Sequence, residues 1–329
     1  MKLLIVRLSS MGDVIHALPL AENARAAGAT VGWLIERPFA GLLEGNPHCA
    51  RLFVADTRLW RKRPLSAGTL AEIAALRREL REFAPDRTID AQGLWKSAML
   101  ARLPAAPVVG FAAAERREPA SALLAAVRVT PDAAAPHVVD RNLALLEAAG
   151  IPIASRRPDA AHLRALPSPA ADAFLAALAR PFVVLHPGAA RSEKAWGEER
   201  FARLAGGLRR ERGLPAVVSW GPGDEARVER LRALAPEAAV APLLDFRGLA
   251  RLLAASALFV AGDTGPLHLA DAIGVRTLAL FGPTDPKRNG PYRDRTGIVT
   301  SMNSVSEKSV LARALEISSG HRHSPADTL

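Results

Sequence analysis

The sequence predicts an α/β protein of two doubly wound domains, each a parallel sheet covered by helices on both faces. Three observations predict it. Short apolar runs alternate with helix-spaced segments from the first residue to about residue 93. The rhythm breaks over 151–180, where "IPIASRRPDAAHLRALPSPA" holds four prolines and no strand pattern. It restarts at "PFVVLHPG" and continues to "RTLALFG". Strands that alternate with helices form parallel sheets with both faces buried.

The elements follow in order. "KLLIVR" reads as a buried strand, followed by an amphipathic helical run to Ala27 that stops at Gly28. "TVGWLIE" and "ARLFVAD" are the next strands. "AEIAALRRELREF" is a helix, because Ile73, Leu76, Leu80 and Phe83 recur at helical spacing. "RTIDAQG" is a short strand ending in glycine. The stretch 151–180 reads as a linker. Beyond it come the strand "PFVVLHPG" and a helix in "WGEERFARLAGGLRRERG", with Phe201, Leu204 and Leu208 on one face and Gly213 as its stop. "PAVVSWG", "LFVAG" and "RTLALFG" are strands, and "DEARVERLRALA", "GLARLLAASA" and "PLHLADAIG" are helices. The expected domains are 1–160 and 161–315, with 316–329 a flexible tail.

Composition narrows the function classes. The chain has 329 residues, 49% of them hydrophobic, enough for full cores without staples. Its single cysteine, Cys49, excludes an internal disulfide and fits a reducing cytoplasm. No segment reads as a signal peptide, and none approaches the roughly 20 apolar residues of a membrane span. Net charge is +10 and both halves share the excess. Such a surface attracts phosphates on nucleic acid, nucleotide or lipid, or else reflects an Arg- and Ala-rich composition alone. Aromatics are only 5%, and no interleaving of basic and aromatic residues suggests a nucleic-acid surface.

Ligands of open α/β sheets bind beyond the carboxyl ends of the strands. The loops to examine are therefore 8–13, 91–96, 186–196, 220–225 and 262–268. In "GDTGPLHLADAIG" Pro266 sits at a helix start, where its missing N–H costs nothing, with Thr264 or Gly265 as the cap. The exposed N–H groups and dipole there suit an anion, with Thr264 and His268 beside it, although a plain capped helix has the same pattern. In "LHPGAARSEKAW" Lys194 precedes a helix and can reach a diphosphate, as well as being an ordinary surface lysine. In "WGPGDE" an acid after the strand can take ribose hydroxyls or simply favour a first helical turn. Dinucleotide, Walker, zinc and serine-hydrolase fingerprints are absent.

"RLSSMGDVIHALP" carries a carboxylate, Asp13, where many folds place a phosphate loop. Local physics alone makes it a first-turn or capping aspartate. At the tip of the first strand it also stands where a general base would face a sugar.

Taken together, "SSMGDVIHALP", "DAQGLWKSA", "RREP", "KAW", "WGPGDE", "GDTGPLHLADAIG" and "FGPTDP" resemble the bacterial lipopolysaccharide heptosyltransferases, in family order up to about residue 292. The resemblance implies a GT-B fold, two Rossmann-like domains facing a central cleft, with the acceptor on the first and the nucleotide sugar on the second. It implies inverting, metal-independent transfer of L-glycero-D-manno-heptose from ADP-heptose to Kdo of Kdo-lipid A. Asp13 becomes the base, and Lys194 shares the catalytic role by holding the diphosphate with Thr264 and Gly265. Gly188, Glu225, Leu244, Asp263 and His268 complete the donor side: Glu225 at the ribose, Leu244 near adenine, Asp263 and His268 along heptose and phosphate. The acceptor side comprises Ser10, Arg58, Arg61, Lys62, Gln92, Lys96 and Arg117, with Arg61 and Arg117 as preferred Kdo contacts. Arg63 and Arg116 keep the reading of a solvated loop. Two departures stand out: Ala189-Ala190 replaces the Thr-Thr pair of some members, and Gly197 stands where proline is common.

The expected setting is cytoplasmic and peripheral at the inner face of the inner membrane, as a monomer, with no nucleic-acid partner and no metal or other cofactor beyond the sugar donor. Alternatives are a sister enzyme adding a later heptose, a non-catalytic nucleotide-binding protein, and a nucleotide-sugar epimerase or dehydrogenase.

Overall fold

The computed structural model describes residues 1–188, 195–302 and 304–319. It falls into two compact units, the first ending at Leu166 and the second beginning at Pro167. The tail expected from 316 lies outside the described residues from 320 onward.

The first unit runs β1 (Lys2–Val6), α1 (Met11–Ala26), β2 (Thr30–Glu36), β3 (Arg51–Ala55), α2 (Thr57–Lys62), α3 (Ala67–Phe83), β4 (Arg87–Asp90), α4 (Trp95–Ala101), β5 (Val108–Phe111), β6 (Val127–Val129), α5 (Val138–Ala148) and α6 (His162–Ala165). Among the described residues its sheet has six parallel strands in the order β3-β2-β1-β4-β5-β6. Val6 lies opposite Leu34 on one side and Asp90 on the other, so β1 and β4 finish level while β2 runs on to Glu36.

The first helix departs from the amphipathic pattern expected of it. Val14 to Ala21 are all buried, Pro19 among them. The cause is a second cover: Asn142 of α5 donates its Nδ2 to the His16 carbonyl at 3.2 Å, and His137 meets the His16 ring edge-on at 5.4 Å. The stretch 151–180 has no strand, but it is not a bare linker. Asn23 of α1 accepts the backbone N–H groups of Ala154 and Ser155 at 2.6 and 2.8 Å, which pins its start to the first unit. Its later part forms α6 and, in the second unit, α7 (Pro169–Ala176), whose first residue is a proline suited to a helix start.

The second unit continues with β7 (Val183–His186), α8 (Glu198–Arg212), β8 (Ala216–Val218), α9 (Glu225–Leu234), β9 (Ala239–Val240), α10 (Phe246–Ala254), β10 (Leu258–Gly262), α11 (Gly265–Ala272), β11 (Thr277–Leu280), α12 (Pro286–Asn289), β12 (Ile298–Val299) and α13 (Glu307–Ser319). Phe201, Leu204 and Leu208 of α8 are buried, and Gly213 caps it in the left-handed region at φ 63°. Its sheet is again six parallel strands, ordered β12-β11-β10-β7-β8-β9. Both orders are the doubly wound one, with the winding reversing between β1 and β4 and between β7 and β10. A crevice opens at such a reversal, beyond the strand ends.

Arg116 corrects the solvated-loop expectation. Its side chain is fully buried and pairs with buried Asp90, the last residue of β4, at 2.9 Å. It also donates to the Phe111 carbonyl at 2.6 Å. Gly110 makes room for it, since a Cβ there would lie 2.2 Å from Arg116 Nη2. Asp90→Ala leaves that cation buried and uncompensated. Chemical denaturation is expected to show a loss of about 3–5 kcal/mol, and an unchanged midpoint would disprove the dependence.

Candidate functional site

At the reversal of the first sheet, the chain leaves β1 through Arg7, Leu8, Ser9 and Ser10 into α1. Arg7 is buried. It donates to the Ala91 carbonyl just past β4, and its guanidinium pairs with Asp13 at 2.5 Å. The other carboxylate oxygen of Asp13 accepts the Ser10 backbone N–H at 3.0 Å and the Ser10 hydroxyl at 2.8 Å. Asp13 is thus a first-turn residue closing back on the helix cap, and 40% of its side chain is exposed.

Gln92 lies on the same rim. Its Oε1 accepts the Leu8 N–H at 2.8 Å and its Nε2 approaches the Ser9 hydroxyl at 3.5 Å. Lys96, in the first turn of α4, pairs with Glu36 at 3.4 Å. Glu36 ends β2, is fully buried, and also accepts from the Thr57 hydroxyl. Arg58, Arg61 and Lys62 lie on exposed positions of α2, with Arg63 just after it, while Trp60 is buried and donates to Glu72 at 2.6 Å. Arg117 is exposed, next to buried Arg116.

At the reversal of the second sheet, Thr264 caps α11, Gly265 is its first residue, and Pro266 follows. The Thr264 hydroxyl is buried and has no hydrogen-bond partner among the described residues. Asp263 and His268 bracket it, with Oδ1 3.4 Å from Nε2 and both side chains largely buried. Asp271 on the same helix holds the loop after α12, its carboxylate accepting the N–H groups of Tyr292 and Arg293 at 2.7 and 3.1 Å. Burial pushes the Asp271 carboxyl up, against those hydrogen bonds.

Gly188 follows β7 in a space that only glycine fits. A Cβ there would lie 2.5 Å from Asp224 Oδ2 and 2.7 Å from His186 Nε2. His186 Nδ1 lies 3.1 Å from the Ser219 carbonyl, which can only accept, so Nδ1 carries the proton. Burial pushes this imidazole down to about 4, against the pull of Asp224. Glu225 opens α9, is exposed, and accepts the Gly223 N–H at 3.2 Å. It lines an open groove of about 600 Å³ with Trp220, Val228, Val240, Ala241 and Pro242. Leu244 is half-buried and lies outside that lining, against Gly248. Lys194 and Ala189-Ala190 lie outside the described residues. Gly197 has φ +96°, a conformation closed to proline.

The sequence reading missed Arg7, Glu36, Asp90 and His186. Their common signal is a charged or titratable residue ending an apolar strand, as in "KLLIVR", "TVGWLIE", "RTID" and "VVLH". Among the described residues no group of three or more His, Cys, Asp or Glu is placed to hold a metal ion.

The family model of glycosyltransferase family 9 (heptosyltransferase) matches residues 73–316. The chain is 37% identical over 297 residues to "Lipopolysaccharide heptosyltransferase 1" of Pseudomonas aeruginosa, covering 89% of this chain and 81% of that protein. It is similar to the solved structure of E. coli heptosyltransferase WaaC with ADP, at TM-score 0.80 and 31% identity, covering 96% of this chain and 100% of that one. The same enzyme with ADP-2-deoxy-2-fluoro heptose gives TM-score 0.78 and 30% identity, covering 96% and 99%. The relatives bearing GT-B architecture agree with two parallel six-stranded sheets clothed in helices.

His186 makes the second unit pH-sensitive. The unfolded chain takes up a proton near the ordinary value of 6.5, which the folded chain refuses until about 4. Stability present above 6.5 is therefore lost as pH falls through that window, by about 3 kcal/mol at most. Denaturation midpoints between pH 7 and 4.5 are expected to slope less in His186→Asn; an equal slope would rule His186 out as the cause.

Proposed function

The chain belongs to glycosyltransferase family 9, the heptosyltransferases, and we propose that it transfers L-glycero-D-manno-heptose from ADP-heptose to Kdo of Kdo-lipid A. This would be the first heptose of the lipopolysaccharide inner core. The supports are the relatives named lipopolysaccharide heptosyltransferase 1 and the likeness to structures bound to ADP and an ADP-heptose analogue. The observation that carries the chemistry is the Asp13 carboxylate, anchored by Arg7 and Ser10 yet 40% exposed.

In this reading Asp13 takes the proton from a Kdo hydroxyl as that oxygen attacks the anomeric carbon. The bond to ADP breaks on the opposite face, so configuration inverts. Charge grows on the departing diphosphate. The start of α11 meets it with the Gly265 N–H, the buried Thr264 hydroxyl and the positive end of the helix, and Lys194 adds a positive charge. These groups do without a metal ion. Asp263 and His268 orient the heptose and phosphate side, Gly188 lets backbone approach the diphosphate closely, and Glu225 takes the ribose hydroxyls. Leu244 contributes apolar surface to the base. On the acceptor side Arg61 and Arg117 meet the Kdo carboxylates, assisted by Arg58, Lys62 and Lys96, with Ser10 and Gln92 beside the base. A cytoplasmic, peripheral place at the inner membrane follows from a lipid acceptor and a nucleotide-sugar donor, and the enzyme acts as a monomer.

Incubation with ADP-heptose and Kdo-lipid A, read by mass, should add one heptose to the acceptor. ADP released without that gain would mean a different acceptor. Asp13→Asn keeps an acceptor for the Ser10 N–H but not a base. It is expected to lower kcat about 10²–10⁴-fold with donor KM little changed, and wild-type kcat in this variant would remove Asp13 from the mechanism. Thr264→Val should raise donor KM about tenfold, since a hydrogen bond to a charged group is lost. Activity should survive EDTA, and recovery that depends on added metal would contradict the scheme.

A further inference from the structure

Five of the nine large hydrophobic side chains exposed among the described residues share one edge of the first sheet. Leu59 and Leu65 follow β3, Trp95 and Met99 follow β4, and Leu123 follows β5. All these strands are parallel, so the three segments leave from the same carboxyl edge. At about 4.8 Å per strand the edge from β3 to β5 spans about 20 Å. Leu65 is 86% exposed, Leu123 72% and Met99 57%. Trp95 and Met99 stand one helical turn apart on α4, so one face of that helix presents both.

Cations stand between these apolar tips. Arg58, Arg61, Lys62, Arg63 and Arg117 are exposed, and none makes an ion pair with a described residue. Elsewhere on this unit some exposed arginines are paired, Arg37 with Asp56 and Arg156 with Asp140, and others such as Arg77, Arg81 and Arg102 are not, so it is their place among the apolar tips that sets these five cations apart. Buried Trp60, held on Glu72, fixes α2 as a firm base for the residues pointing outward. An indole with its edge in water, leucines without cover and unpaired cations form the pattern that settles at a lipid–water interface.

We propose that this edge docks on an anionic lipid bilayer, with Leu65, Leu123, Met99 and Trp95 entering the interfacial layer and the unpaired cations meeting anionic headgroups wherever no acceptor carboxylate occupies them. The inference deepens the reaction above and rests on its lipid acceptor. Either attraction alone is weak and reversible, whereas the two together give stable attachment. Docking also confines the search for a lipid-borne acceptor to the plane in which Lys96, Gln92 and Asp13 open.

The test uses the whole chain with no acceptor present. Phosphatidylcholine vesicles containing phosphatidylglycerol should sediment the protein and shift Trp95 emission to the blue, while pure phosphatidylcholine should do neither. Trp33, Trp60 and Trp196 are buried, and Trp95→Phe should remove the shift. Leu65→Ser with Leu123→Ser should weaken vesicle binding about tenfold or more, with ADP binding intact as the sign of a folded chain. No binding to the anionic vesicles, or equal binding by the double variant, would overturn the proposal. So would concentration-dependent self-association that the double variant abolishes, because the edge would then close on a second copy. Vesicle binding as expected without heptose transfer to Kdo-lipid A would uphold the docking edge and refute the reaction.

Discussion

A guanidinium buried at the carboxyl edge of a parallel sheet must find acceptors, and Arg7 finds two that lie far apart in sequence. One is the Ala91 carbonyl beyond β4, the other the Asp13 carboxylate in the first turn of α1. A buried unpaired charge costs several kcal/mol, so the two segments are locked together across the point where the sheet reverses its winding. Gln92 doubles the lock from the side by accepting the Leu8 N–H. The result is a carboxylate whose position is fixed by donors behind it while its front stays open to water. Arg116 and Asp90 repeat the device one strand further on, entirely buried, where nothing is left open. Exposure separates the two pairs: one can meet a ligand, the other only holds β4 to the chain after β5.

The second unit has the same strand order and the opposite chemistry. At its reversal point stands a helix start whose hydroxyl has no partner among the described residues, an acid–histidine contact and a histidine kept neutral by burial. Donors, a dipole and small residues gather there, a setting that suits an anion. Gly188 is part of this economy of space: Asp224 and His186 occupy the volume a side chain would need. One topology thus carries a part-exposed carboxylate in the first unit and a helix start with a buried hydroxyl in the second.

Much of this was legible in the chain. Apolar periodicity located the long helices, and α8 with its glycine stop falls where Phe201, Leu204, Leu208 and Gly213 put it. Short strands were harder. β5, β6, β9 and β12 have two to four residues each, too few to show a period. The first helix misled because its amphipathic reading presumes one wet face, and α5 covers that face. Arg116 misled for a related reason. A cation in "ERREP" looks solvated until Gly110 and Asp90 are seen to build a chamber around it.

The sequence by itself determined the alternation of strands and helices, the placing of Asp13 and Thr264 just past strands, and the motif order of a glycosyltransferase family. These are local or ordered properties, written in spacing and residue type. Only the tertiary structure decided which charges are held and which stand open. Partners such as Arg7 with Ala91, Lys96 with Glu36 and Arg116 with Asp90 lie between 26 and 84 residues apart. Burial at a sheet edge depends on strand order, and strand order is a property of the folded chain that spacing along the sequence does not carry.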